Sequence, residues 1–95
     1  MSDNLTPLEV CEKLIAPRKS LGALIGYKEK AAYSWAKPSK YRLAGDLPVH
    51  AQRQILVEFR RRGLNADPAW LIEGAKRSDI EKFLNSLAAD KMAAE

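Results

Sequence analysis

The chain has 95 residues, 46% hydrophobic and 29% charged, which suits one small folded domain and excludes a disordered, charge-rich chain. A single cysteine, Cys11, and a single histidine, His50, exclude an internal disulfide and a structural zinc site, and no run of about 18 apolar residues occurs to cross a membrane. The net charge of +4 is unevenly spread: residues 1–12 carry −3, residues 63–95 carry −2, and residues 13–62 carry +9.

The middle block is expected to attract polyanions, because each Lys or Arg that meets a phosphate releases condensed counterions. A basic face that merely aids solubility has the same signature. The N-terminal string MSDNLTPLEV lacks the basic and apolar regions of a signal peptide, so a cytoplasmic protein with no membrane contact is expected.

In chain order, Thr6-Pro7-Leu8-Glu9 is a capping box with proline at the first helical position, which predicts a helix over 7–15 that Pro17 stops. Leu8, Cys11, Leu14 and Ile15 share its apolar face, and Cys11 there reads as a small core residue. A second short helix is predicted over 18–25, closed by Gly26, and a third over 28–36, closed by Pro38. Residues 37–47, KPSKYRLAGDL, read as a surface loop.

Pro48 opens a long helix with Ala51, Gln52, Ile55, Leu56 and Phe59 along one face, ended by Gly63 with Leu64 as its hydrophobic clamp. Asp67-Pro68 starts a short helix containing Trp70, Leu71 and Ile72, and Gly74 ends it. Ser78-Asp79-Ile80-Glu81 is a second capping box, opening a last helix with Ile80, Phe83, Leu84, Leu87 and Ala88 at helical spacing. No stretch shows the period-2 alternation of a half-buried strand, so an all-α fold is expected.

Two short helices around a glycine turn, the second ending in tryptophan, suit the brace-and-read arrangement of a helix in a DNA groove. Leu21 and Ile25 face inward on the first of them, Gly22 is small where two backbones approach, and Ala32 and Trp35 give the second its inner face. Through LGALIGYKEKAAYSW, and again through ADPAWLIEG, the sequence resembles the Cro and phage-repressor class of helix-turn-helix DNA-binding proteins over roughly residues 5–75. Ala32 stands where that class usually has a larger aliphatic residue, so Tyr27 or another bulky side chain is expected to fill the gap. The loop after Trp35 is longer than the commonest form.

The resemblance implies a five-helix lambda-repressor-like domain over 1–75 and a C-terminal helix over 76–95 for dimerisation or partner binding. It implies a nucleoid-associated regulator of transcription, repressor or activator, that binds double-stranded DNA sequence-specifically. Dimers of this class place two recognition helices about 34 Å apart in successive major grooves. Outward positions of a recognition helix reach base edges, which nominates Glu29, Lys30, Tyr33 and Ser34 as base readers. Arg18, Lys19, Lys28, Lys37, Lys40, Tyr41 and Arg42 are the expected phosphate contacts, while Arg60, Arg61 and Arg62 sit at a helix C-terminus where cations stabilise the dipole anyway.

Ile80, Phe83, Leu84, Leu87 and Ala88 are the expected dimer or partner surface, with RNA polymerase or another regulator as further partners. The alternative is a protein-interaction adaptor on the same scaffold with only nonspecific DNA binding. No nucleophile with its base, paired acid–base groups or glycine-rich phosphate cradle is recognisable, so neither catalysis, cofactor, metal nor small-molecule ligand is expected.

Overall fold

Residues 3–28, 30–40 and 42–94 are described by a computed structural model. They are mostly helical, with α1 (Pro7–Leu14), α2 (Arg18–Leu24), α3 (Ala31–Trp35), α4 (Val49–Arg61), α5 (Trp70–Glu73) and α6 (Arg77–Ala94). A two-stranded sheet joins β1 (Asn4–Leu5) to β2 (Ala75–Lys76).

Thr6 starts α1 as the sequence predicts. Its hydroxyl accepts from the Glu9 N–H at 3.2 Å and the Glu9 carboxylate accepts from the Thr6 N–H at 3.0 Å, so two donors that the helix leaves unpaired are satisfied reciprocally. Leu8, Val10, Cys11 and Leu14 are all buried, because α1 is covered by α5, α2 and α6 rather than by one neighbour. Burial, with a smaller contribution from Glu12, pushes the Cys11 thiol up to about 12, so it stays protonated and packs as an apolar group.

The small sheet is an addition to this mostly helical architecture, which is compatible with the all-α expectation. Strands of two residues are too short to show an alternation, and their pairing depends on a partner about seventy residues away, which periodicity does not report. Antiparallel pairing sets Asn4 opposite Lys76 and Leu5 opposite Ala75, with Leu5 and Ala75 buried. The ladder runs into α6: the Arg77 N–H, which an isolated helix would leave unpaired, donates to the Asp3 carbonyl at 2.7 Å. Helix α6 therefore begins at Arg77, and Ser78 lies inside its first turn instead of capping it. The expected boundary between residues 75 and 76 falls inside β2.

Helix α4 follows Pro48 and buries Ala51, Ile55 and Phe59, with Gln52 and Leu56 at the edge of its buried face. It ends in a Schellman motif: Gly63 donates to the Arg60 carbonyl at 3.1 Å and Leu64 to the Phe59 carbonyl at 2.8 Å. Helix α5 is a single turn over which Leu71 enters the core, and the half-buried Trp70 ring meets Phe83 of α6 edge-on at 5.6 Å. The core gathers residues from every helix, including Leu8, Leu21, Trp35, Ile55, Leu71 and Ile80. No helix among the described residues is long and apolar enough to cross a membrane.

Candidate nucleic-acid interface

The α2–turn–α3 unit is assembled from backbone chemistry that begins at two glycines. Gly26, at φ +88°, occupies the left-handed region that side chains other than glycine rarely adopt, and it closes α2 as the sequence predicts. Its N–H donates to the Ala23 carbonyl at 3.3 Å and the Tyr27 N–H to the Gly22 carbonyl at 2.8 Å, the two bonds of a Schellman turn. The chain then reverses so tightly that a Cβ on Gly22 would lie 2.6 Å from the Lys28 carbonyl oxygen and 3.3 Å from the Ala31 Cβ.

Beneath the turn, Leu21 and Ala32 are fully buried and Ile25 and Trp35 nearly so. Tyr27 is half-buried, with its ring edge-on to Trp35 at 5.0 Å. His50, at the start of α4, packs tilted against Tyr27 with the ring centres 5.8 Å apart.

Helix α3 is shorter than predicted. It covers residues 31–35, and Lys28 and Lys30 belong to the turn that precedes it, Lys30 at the N-cap position. The close approach at Gly22 is the cause: the turn is still reversing direction at Lys28, so the chain reaches helical geometry only after Lys30. Tyr33 points outward and is 46% exposed, with Lys30 and Lys37 exposed on either side of it in sequence. Ser34 is exposed too, but its hydroxyl donates to the Ala31 carbonyl at 2.7 Å, which leaves only its acceptor capacity for a ligand. Glu29 and Tyr41 lie outside the described residues.

Among the expected phosphate contacts, Lys19, Lys28 and Lys37 are exposed and form no ion pair with another described residue. Arg18 is committed elsewhere: its Nε and Nη2 donate to one oxygen of Glu12 at 3.0 and 2.8 Å. This bridges α1 to α2 and takes Arg18 out of the set of open cations. Arg42 turns its guanidinium back onto the Asp46 carbonyl at 3.3 Å, and its backbone closes a turn with Ser39 that leaves Lys40 exposed at the tip.

Two features escaped sequence reasoning. The expected loop is tied down at Gly45, whose N–H donates to the Trp35 carbonyl at 2.8 Å and whose carbonyl accepts from the Leu8 N–H at 2.9 Å. One residue thus caps the last turn of α3 and the first turn of α1 together, through its N–H and its carbonyl. The glycine in Ala44-Gly45-Asp46 was the only cue in the sequence.

The second feature is Glu58, counted in the sequence as one acid in a basic block. It is 7% exposed and holds two arginines: Arg61 donates from Nε at 3.1 Å and also from Nη2, and Arg62 donates from Nε at 2.6 Å. Arg61's hydrogen bonds first, and Arg62's next, hold the Glu58 carboxyl down at about 2, and Glu58 in turn raises the pKa of Arg61. Arg62 also donates to the Ile15 carbonyl at 3.1 Å, tying the end of α4 to the end of α1. Arg61 and Arg62 therefore act in the structure, as their place at a helix end suggests.

The apolar stripe of α6 is divided. Ile80 is 2% exposed within its own chain, and Phe83 and Leu84 pack against the same core. These three are occupied in cis because the β1–β2 ladder aims the first turns of α6 across the domain, leaving Leu87 half-buried and Ala88 exposed. The chain matches no protein-family model, no curated protein and no solved structure.

Proposed function

We propose that the chain is a sequence-specific double-stranded DNA-binding regulator of transcription, built as a lambda-repressor-like helix-turn-helix domain followed by a C-terminal helix. The observation that carries this reading is the α2–turn–α3 unit. Its two backbones are locked at Gly22, its inner residues are buried, and its outer surface offers Tyr33 among Lys28, Lys30 and Lys37. A short helix held this rigidly, with an amphipathic ring between cations, suits insertion into a major groove.

In this reading Tyr33 and Lys30 face base edges, with the tyrosine ring against a thymine methyl group and Lys30 toward guanine acceptors. Ser34 contributes as an acceptor only. Lys19, Lys28 and Lys37 meet backbone phosphates, where they set register and affinity without reading sequence. Two copies bound to a two-fold site pair through the open end of the α6 stripe, at Leu87 and Ala88.

The test is selection of bound fragments from random duplex DNA, followed by gel shifts. Tyr33→Ala is expected to change the preferred sequence. Lys37→Ala is expected to weaken all sequences alike and to lower the salt slope by about one per binding site. Salt-dependent binding with no preferred site would overturn sequence-specific regulation and leave a protein-interaction adaptor on this scaffold.

A further inference from the structure

Helix α4 presents to solvent a strip in which aliphatic and cationic side chains alternate. Val49, Arg53, Val57 and Arg60 are all exposed, and steps of four, four and three residues place them on one side of an α-helix. Single exposed aliphatics are ordinary on any surface. Here Val49 is 63% and Val57 53% exposed on the same strip, and at its N-terminal end Val49 lines a cleft with Pro48, Gln52 and Ile72, the last also 63% exposed.

The strip carries charge of one sign. The only carboxylate of α4, Glu58, is buried and engaged by Arg61 and Arg62. Arg53 and Arg60 form no ion pair with another described residue. Asp46, which lines the same cleft together with Arg42, accepts from the Leu43 N–H at 3.1 Å.

From this pattern we propose that the outer strip of α4 docks an acidic amphipathic helix of a protein partner. Covering two arginines strips their water, which is costly unless the partner brings carboxylates to them. Covering Val49, Val57 and Ile72 is favourable only against apolar side chains. A nucleic-acid backbone answers the first requirement and not the second. Arg53 and Arg60 are seven residues apart, about 10 Å along the axis, so the matching helix carries acids two turns apart with aliphatic residues between them. The strip shares no residue with the set assigned to DNA, and the inference stands or falls independently of DNA binding.

The test is nuclear magnetic resonance titration of the full chain with a synthetic peptide of about 18 residues, helical, bearing a leucine stripe and glutamates seven positions apart. The same peptide with lysine for glutamate, and a random-sequence DNA duplex, serve as comparators. The glutamate peptide is expected to bind at least about tenfold more tightly than the lysine peptide, with shifts confined to the α4 strip and Ile72. Arg53→Glu with Arg60→Glu is expected to remove about tenfold or more of that affinity with a slightly lowered circular dichroism melt, since Arg60 leaves the last turn of α4, and the milder Arg53→Gln with Arg60→Gln to lose several-fold with a smaller change in the melt. Equal binding of both peptides, shifts away from the strip, or no binding at millimolar peptide would overturn the proposal. A duplex that shifts the strip more strongly than the peptide would also overturn it and assign the surface to nucleic acid.

Discussion

Gly22→Ala sets two well-understood effects against each other, and the structure decides the sign. Alanine in place of a mid-helix glycine favours the helix by about 1 kcal/mol. Against this, the new Cβ would lie 2.6 Å from the Lys28 carbonyl oxygen, a contact that real Cβ atoms essentially never make. That oxygen is backbone, and it already accepts from the Ala31 N–H at 3.0 Å, so it moves only if the first turn of α3 moves with it.

Forcing atoms into such a packed contact costs about 1–3 kcal/mol, and disturbing the Ala31 hydrogen bond adds about 1 kcal/mol. Subtracting the helix gain leaves a loss of about 1–3 kcal/mol, and in a domain of this size the melting temperature falls by about 5–15 °C. Thermal melts followed by circular dichroism measure it, with Ser20→Ala on the exposed side of α2 as the control, expected to gain a few tenths of a kcal/mol at most. A Gly22→Ala protein that melts at or above the temperature of the parent would refute the argument, because helix propensity would then be the only effect acting.

Two further outcomes follow from the buried groups. Because the Glu58 carboxyl titrates at about 2 when folded and near 4.5 otherwise, its stabilisation is complete above about 4.5 and disappears as pH falls from there towards 2. Glu58→Gln is therefore expected to lower the urea midpoint at neutral pH and to flatten its pH dependence between 4.5 and 2, and an unchanged acid profile would show that the arginine cluster is not holding the carboxylate. Ile80→Ala, at a site 2% exposed, is expected to cost about 2–5 kcal/mol, whereas Ala88→Ser on the open end of α6 should fall within about 0.5 kcal/mol of the parent; equal effects in urea titrations would contradict the division of the α6 stripe.

Local chemistry was the readable part of this chain. The Thr6–Glu9 box, the Gly26 and Gly63 closures and the small residue at 22 are set by neighbours within about six positions, so their spacing alone announces them. Two features that were not readable need residues distant in sequence: strand β1 exists because Ala75 and Lys76 return to it, and the strap at Gly45 because Trp35 and Leu8 end up within reach of that residue. The shortened α3 is local, but it depends on how closely the turn passes Gly22, which composition does not report. Charge was the least transparent. A count of +9 over residues 13–62 does not reveal that Arg18, Arg61 and Arg62 are held by carboxylates, which needs the partners' positions.

The double anchor at Gly45 bears on how this protein can change. Helix α3 is held from below by buried side chains and at its end by main-chain atoms, and neither depends on the identity of Lys30, Tyr33 or Lys37. Substitutions at those three positions alter what the helix offers to a ligand while leaving its seat intact. The scaffold and the outer face of α3 are thus separable by mutation: under the proposed DNA-binding function, changes of target preference are open to the chain one residue at a time, without a folding penalty that would have to be repaired elsewhere.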